Sequence, residues 1–113
     1  RAPTPSHARV AASFIQWGIP TTDAIANVRE AAPSLPVFAS GGLRNGIDIA
    51  KCIALGATLG GMAGPFLKAA DRGVDAVVET INEVVREIRI AMFATGAKDL
   101  AALQATPLIA VSG

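Results

Sequence analysis

The sequence predicts an α/β protein of parallel β/α units, the last two of a (β/α)8 TIM barrel with the helices that follow them. Three observations carry that expectation. Two short apolar runs, Val37-Phe38-Ala39 and Leu59-Gly60-Gly61-Met62, each end in a glycine turn, Ser40-Gly41-Gly42 and Ala63-Gly64-Pro65. Between them Ile47, Ile49, Ala50, Ile53 and Ala54 recur at helical spacing, so one helix joins the two strands and they run parallel. Beyond the second turn a long helix is predicted from Gly73 to Thr95, with Val74, Val77, Val78, Ile81, Val84, Val85, Ile88 and Met92 forming one apolar stripe that must dock on something.

Arg1 to Ser6 is Pro-rich and reads as a loop at the mouth of the barrel. His7 to Gln16 carries a short helical pattern that ends by Gly18. Trp17 reads as a packing anchor against the next helix rather than a ligand contact, because the worth of a large aromatic lies chiefly in buried area. Thr21 or Thr22 is expected to cap that helix, which runs to Ala32 with Ala24, Ile25 and Val28 inside and stops at Pro33. Asp23 in its first turn complements the helix dipole. Leu35-Pro36 biases the chain toward extended backbone and suits a strand start. The second strand reads as buried, with small residues where the barrel interior or a ring system comes close. Leu55-Gly56-Ala57 closes the connecting helix with glycine at its C-terminal end. Phe66 to Ala70 reads as a short helical turn. Glu79, Asn82, Glu83, Arg86 and Arg89 lie mostly off the apolar stripe of the long helix and read as a solvated face, with Glu83 and Arg86 spaced for a weak surface pair. Asp99 to Gln104 makes one more short turn, and Pro107 to Val111 is an apolar tail free to lie against the barrel.

The first glycine turn has the makings of an anion cradle. Two adjacent glycines let the backbone take positive φ and let a bulky anion reach the main chain with no Cβ in the way. Arg44, in Leu43-Arg44-Asn45-Gly46, adds a fixed charge with a planar fork of donors. The helix beginning near Gly46 is expected to point free N–H groups at the same spot. The same residues also suit a plain strand-to-helix turn in which the glycines serve geometry alone and Arg44 is solvated. The second glycine turn, at the end of the neighbouring strand, favours the cradle, since the loops after the last two strands of a β/α barrel often form a phosphate site. Asp48 reads as a complement to the helix dipole rather than a catalytic group, because a carboxylate facing a phosphate would repel it. Lys51, one turn further on, reads as solvent-facing.

The pattern SGGLRNGIDIAKCIALGA followed by GMAGPFLKAA resembles the C-terminal part of the type 2 isopentenyl-diphosphate delta-isomerase family. Trp17-Gly18-Ile19-Pro20-Thr21, Ile88-Arg89-Ile90-Ala91-Met92 and Thr95-Gly96-Ala97 resemble further stretches of that family, so the resemblance runs from residue 14 to residue 108. The 2-hydroxy acid oxidases and inosine monophosphate dehydrogenases share the G-G-x-R and A-L-G-A theme but usually carry Asp before the glycine pair, where this chain has Ser40. The oxidases also tend to show Gly-Arg-Pro where this chain has Ala63-Gly64-Pro65. The resemblance implies an enzyme of isoprenoid biosynthesis that interconverts isopentenyl and dimethylallyl diphosphate with reduced FMN, NADPH to keep it reduced and Mg2+ to hold the diphosphate. Matched to the family motif, Gly42, Leu43 and Arg44 in the first turn and Ala63 and Gly64 in the second contact the FMN phosphate, largely through backbone N–H groups, with Gly41 as geometric support. The family's acid/base groups, metal-binding carboxylate and nicotinamide contacts come from outside this segment, so the resemblance implies no catalytic and no metal-binding residue here. Two alternatives stay open. One is an FMN-dependent 2-hydroxy acid oxidase or dehydrogenase, which would need a catalytic His and Arg that this region does not offer. The other is a phosphate-binding half-barrel with no chemistry of its own.

A complete barrel takes about 250 residues, and this chain has 113, beginning at Arg1 without an initiator Met. Residues 1–113 are therefore expected to be the C-terminal fragment of a single FMN-binding barrel domain, inactive alone and homo-oligomeric in the complete enzyme. Two parallel strands would leave two open edges. A formal net charge of +1 offers no basic stripe for nucleic acid. No run approaches the roughly 18 consecutive apolar residues of a membrane span, and no signal peptide is visible, so no membrane association and a cytoplasmic location are expected. The single cysteine, Cys52, cannot form an internal disulfide, suits a reducing compartment and reads as a buried small side chain. With one histidine, His7, the sequence shows neither a metal-ligand cluster nor a Gly-x-Ser-x-Gly elbow.

Overall fold

Both predicted strands form and pair in the computed structural model, which describes residues 4–111. Strand β1 (Phe38–Ala39) and strand β2 (Leu59–Gly60) are parallel, with Phe38 opposite Leu59 and Ala39 opposite Gly60. They are shorter than the apolar runs that announce them, because each has a partner on one side only. Hydrogen bonding nevertheless reaches one residue past either end. The Thr58 N–H donates to the Val37 carbonyl at 2.7 Å and the Gly61 N–H to the Ala39 carbonyl at 2.8 Å. The second strand is not buried: Leu59 is exposed and Gly60 half-buried, while Phe38 on the first is 69% exposed.

Helix α1 (Pro5–Ala12) begins inside the segment read as a loop, because Thr4 Oγ1 accepts the His7 N–H at 3.1 Å and Pro5 suits a first helical turn. Residues 1–3 lie outside the described residues. The helix stops four residues before Gln16 and gives way to turns. Trp17 corrects the packing expectation: it is 78% exposed, and its ring meets Phe14 edge-on with centroids 5.8 Å apart. Helix α2 (Thr21–Ala31) starts with Pro20 at its N-cap and has no side-chain cap, so neither Thr21 nor Thr22 plays the role assigned to them. Ile25 is its buried residue, whereas Val28 stays exposed.

Helix α3 (Gly46–Ala54) is the hub. Asn45 caps it, Oδ1 accepting the Asp48 N–H at 2.9 Å, and Ile49, Ala50, Cys52 and Ile53 are buried. Ile47 falls off this face and is exposed. On one side of α3, Cys52 joins Ile25, Val37, Ala39 and Ala57 in a core between α2 and β1. On the other, Ile49, Ala50 and Ile53 pack with Leu103, and Val84, Ile88 and Met92 close over them.

The segment after β2 is a full helix, α4 (Gly64–Arg72), rather than the short turn expected from Phe66 to Ala70; Pro65 sits in its first turn, where its missing N–H costs nothing. Helix α5 (Val74–Thr95) follows directly, and α6 (Leu100–Gln104) is capped by Asp99, whose Oδ1 accepts the Ala102 N–H at 2.8 Å. Leu103 is 1% exposed, and Gln104 Nε2 donates to the Ala57 carbonyl at 3.0 Å, tying α6 to the loop before β2. Helix α5 crosses α3 so closely that a Cβ at Gly46 would lie 2.7 Å from Glu87 Cβ and collide with the Val84 carbonyl. Glu87 Oε1 accepts the Gly46 N–H at 3.1 Å in the same contact.

Only part of the α5 stripe is used. Val84, Ile88 and Met92 pack on the core, while Val74, Val78, Ile81 and Val85 remain exposed. Glu83 and Arg86 form no ion pair among the described residues. In the tail Ile109 and Val111 are about nine-tenths exposed, and Leu108 is 46% exposed. The radius of gyration is 16.7 Å, against roughly 13 Å for a compact domain of about 100 residues. No described helix is long and apolar enough to cross a membrane.

Candidate phosphate site

The carboxyl ends of β1 and β2 open side by side onto a cleft of about 700 Å3. Its walls include all six residues singled out from the sequence: Gly41, Gly42, Leu43 and Arg44 after β1, Ala63 and Gly64 after β2. Ser40, Gly61, Met62 and Pro65 complete it. Gly41 (φ +100°) and Gly42 (φ +74°) adopt the left-handed backbone that favours glycine. A Cβ at Gly42 or Gly64 would meet no protein atom within 4 Å, so at both positions the main chain borders open space.

The donors are arranged differently from the expectation. Helix α3 does not aim a set of free N–H groups at the cleft: Glu87 takes the N–H of Gly46, Asn45 takes that of Asp48, and Ile49 bonds back to the Asn45 carbonyl. Asp48 does more than complement the dipole. Its Oδ2 accepts the Arg44 backbone N–H at 2.9 Å and pairs with Arg44 Nε at 3.3 Å, so one of the predicted main-chain contacts is already engaged inside the protein. The open helix end belongs to α4, whose N-cap Ala63 has no side chain able to cap it. Gly42, Leu43, Ala63 and Gly64 have N–H groups with no acceptor among the described residues. Unpartnered N–H groups in a turn and at a helix N-terminus form a natural seat for a phosphate. The residues present therefore fit a phosphomonoester such as that of FMN, held chiefly by peptide groups, with the 81%-exposed Arg44 side chain at the rim.

Lys51 is exposed, as expected, and Cys52 is buried. Burial pushes the Cys52 thiol pKa up, and the nearby Asp48 carboxylate adds to the shift, so no reactive thiolate lies behind the turn. Three contacts went unread in the sequence. Glu87 reaches Gly46 across 41 positions, a distance at which no local pattern speaks. The Asp48–Arg44 pair has i, i+4 spacing, a signal that in the sequence is masked by the dipole role of Asp48. Thr21 looked like a cap and instead donates its hydroxyl to the Gly41 carbonyl at 2.9 Å. No group of three His, Cys, Asp or Glu able to hold a metal occurs among the described residues.

Two parallel strands with glycine turns at their carboxyl ends, and a helix N-terminus completing the cleft, define a β/α protein with an open cleft at its strand ends. Residues 15–110 match the FMN-dependent dehydrogenase family, and the chain belongs to that family. Within it, the chain is 54% identical over 99 residues, 88% of its length, to the isopentenyl-diphosphate delta-isomerase of Xanthobacter autotrophicus. It is 50% identical over 92 residues to the enzyme of the same name from Rickettsia bellii. The chain spans 29% and 27% of those relatives, respectively. Among solved structures, a protein described as a lactate oxidase of Pediococcus acidilactici superposes with a TM-score of 0.80 at 22% identity, over 88% of this chain and 28% of its own; at that identity the likeness is one of fold. A GMP reductase of Trypanosoma brucei superposes with a TM-score of 0.70 at 27% identity, over 99% of this chain and 26% of its own.

Proposed function

We propose that residues 1–113 are the C-terminal part of a single FMN-binding (β/α)8 barrel, and that the complete protein is a type 2 isopentenyl-diphosphate delta-isomerase. The observation that carries this reading is the convergence of two glycine turns, with their unpartnered N–H groups, in a chain about half identical to enzymes of that name. In this reading Gly42, Leu43, Ala63 and Gly64 hold the FMN phosphate through main-chain N–H groups, Gly41 shapes the turn, and Arg44 contributes its side chain. Bound FMN supplies the proton-transfer chemistry, and this segment fixes one end of it and so the position of the rest. The substrate is a small isoprenoid diphosphate. NADPH, Mg2+ and the acid/base groups are assigned to residues outside these 113, and the complete enzyme to a cytoplasmic homo-oligomer.

The test is an assay of the full-length protein loaded with FMN and given NADPH and Mg2+. Interconversion of isopentenyl and dimethylallyl diphosphate is the expected result. Oxidation of a 2-hydroxy acid without isomerisation would replace this reading with the oxidase one, and absence of both activities in flavin-loaded protein would overturn the enzyme assignment.

A further inference from the structure

We infer that Thr21 is a positioning residue that sets the polarity of the phosphate cradle; the inference rests on the reading of the cleft as an FMN phosphate site. Thr21 does not line the cleft. It lies behind the first glycine turn at the start of α2, where Pro20 occupies the N-cap and no side chain caps the helix. Its hydroxyl is donated instead across 20 positions to the Gly41 carbonyl, at 2.9 Å. No cis peptide occurs among the described residues, and in a trans peptide the carbonyl and the following N–H point in opposite directions. Anchoring the Gly41 carbonyl toward α2 therefore turns the Gly42 N–H away from α2, to the side on which the cleft opens.

This peptide needs such an anchor. It joins two glycines, both at positive φ, and without Cβ atoms the plane between them can rotate at little steric cost. In the rotated form the Gly41 carbonyl would face the cleft and repel an anion where an N–H had welcomed it. No other hydrogen bond to the Gly41 carbonyl occurs among the described residues. The contact is close enough that a Cβ at Gly41 would come within 3.2 Å of Thr21 Oγ1, so the turn is seated against this hydroxyl.

The experiment compares the affinities of the full-length protein for FMN and for riboflavin, which lacks the phosphate, by quenching of flavin fluorescence. Thr21→Val, nearly the same shape without a donor, is expected to bind FMN roughly three- to tenfold more weakly, the effect of losing one neutral hydrogen bond, with riboflavin affinity unchanged. Thr21→Ser is expected to restore FMN binding. Should Thr21→Val not fold, Thr21→Cys, with its weak S–H donor, carries the same comparison. FMN binding at the wild-type level in the donor-deficient variant would overturn the inference, and so would equal losses of FMN and riboflavin, which would mark a purely structural role. Gly42→Val separates this from the parent reading: if it leaves FMN affinity unchanged, the cradle itself is refuted whatever Thr21 does.

Discussion

Gly42 and Arg44 sit two residues apart in one turn, yet they should respond very differently to substitution. Gly42→Val places a branched Cβ in the open space proposed for the phosphate and asks a β-branched residue to hold φ near +74°. FMN affinity should fall by more than tenfold, over about 1.4 kcal/mol, as a flavin fluorescence titration would show. Arg44→Ala leaves the backbone as it was. The side chain it removes is exposed and already shares its charge with Asp48, so the loss should stay below about 1.5 kcal/mol. A larger loss for Arg44→Ala than for Gly42→Val would mean that the side-chain charge, not the peptide groups, does the holding. Cys52 offers a separate check. Its thiol pKa is raised by burial and then by Asp48, so the fold favours the neutral thiol. That contribution is complete below the ordinary thiol value of 9.0 and is lost as pH rises above it toward the raised value in the fold. Cys52→Ala should flatten the decline in stability measured by urea unfolding between pH 8 and 10, and iodoacetamide should label wild-type Cys52 only after denaturation.

Helix α3 is held at its first turn by three acceptors, two from Asn45 and one from Glu87, and its stability should reflect the one that comes from afar. Glu87 reaches over from α5 to the buried Gly46 N–H. Glu87→Ala strands that donor, at a cost of about 1–3 kcal/mol, whereas Glu87→Gln keeps an acceptor and should cost clearly less. Gly46→Ala drives a methyl into the Val84 carbonyl and Glu87 Cβ and should destabilise by about 1–3 kcal/mol or more; urea unfolding of the full-length protein ranks the three. Neither residue announces this in the sequence. Local periodicity and punctuation did reveal both strands, α3, α5 and the glycine turns, because these elements are encoded by neighbours a few positions apart. The six residues proposed for the cradle, which line one cleft, are encoded in the same local way. What stays hidden is which groups are already paired, since Glu87 and Thr21 act across 41 and 20 positions, and which helix end is left open, since the sequence of α4 reads as a short turn. The misreadings of Trp17 and of β2 have a different cause. Apolar residues are expected to find cover, and among the described residues Trp17 and Leu59 stay exposed.

At the level of the whole molecule, the missing cover is itself a prediction. Beyond β2 lies a second, larger groove of about 960 Å3, walled by Leu59, Met62 and Phe66 on one side and Val84, Ile88 and Met92 on the other. Together with Phe38 and the upper stripe of α5, it leaves two unpaired strand edges and much apolar surface in water. The 113-residue chain alone should self-associate or precipitate, bind FMN weakly and show no isomerisation. Co-expression with the N-terminal part of the complete protein should restore solubility and flavin binding. Sizing chromatography decides it, and a soluble monomer that turns over isopentenyl diphosphate unaided would refute the barrel-fragment reading.

The pairing of Arg44 with Asp48 has a consequence for how the cleft answers to its solvent. Among the described residues that line the cleft, the cation Arg44 carries its own counterion, so in the proposed site a phosphate dianion meets a formal charge close to nil and a pull that comes from peptide dipoles at contact range. Such a pull hardly extends to the roughly 10 Å over which 0.1 M electrolyte attenuates a charge. FMN affinity should therefore change little between 50 and 500 mM NaCl, where a lysine-lined pocket would lose much of its grip, and titrations across that range would expose the difference. Asp48→Asn, by freeing the guanidinium, should tighten binding at low ionic strength and make it salt-sensitive.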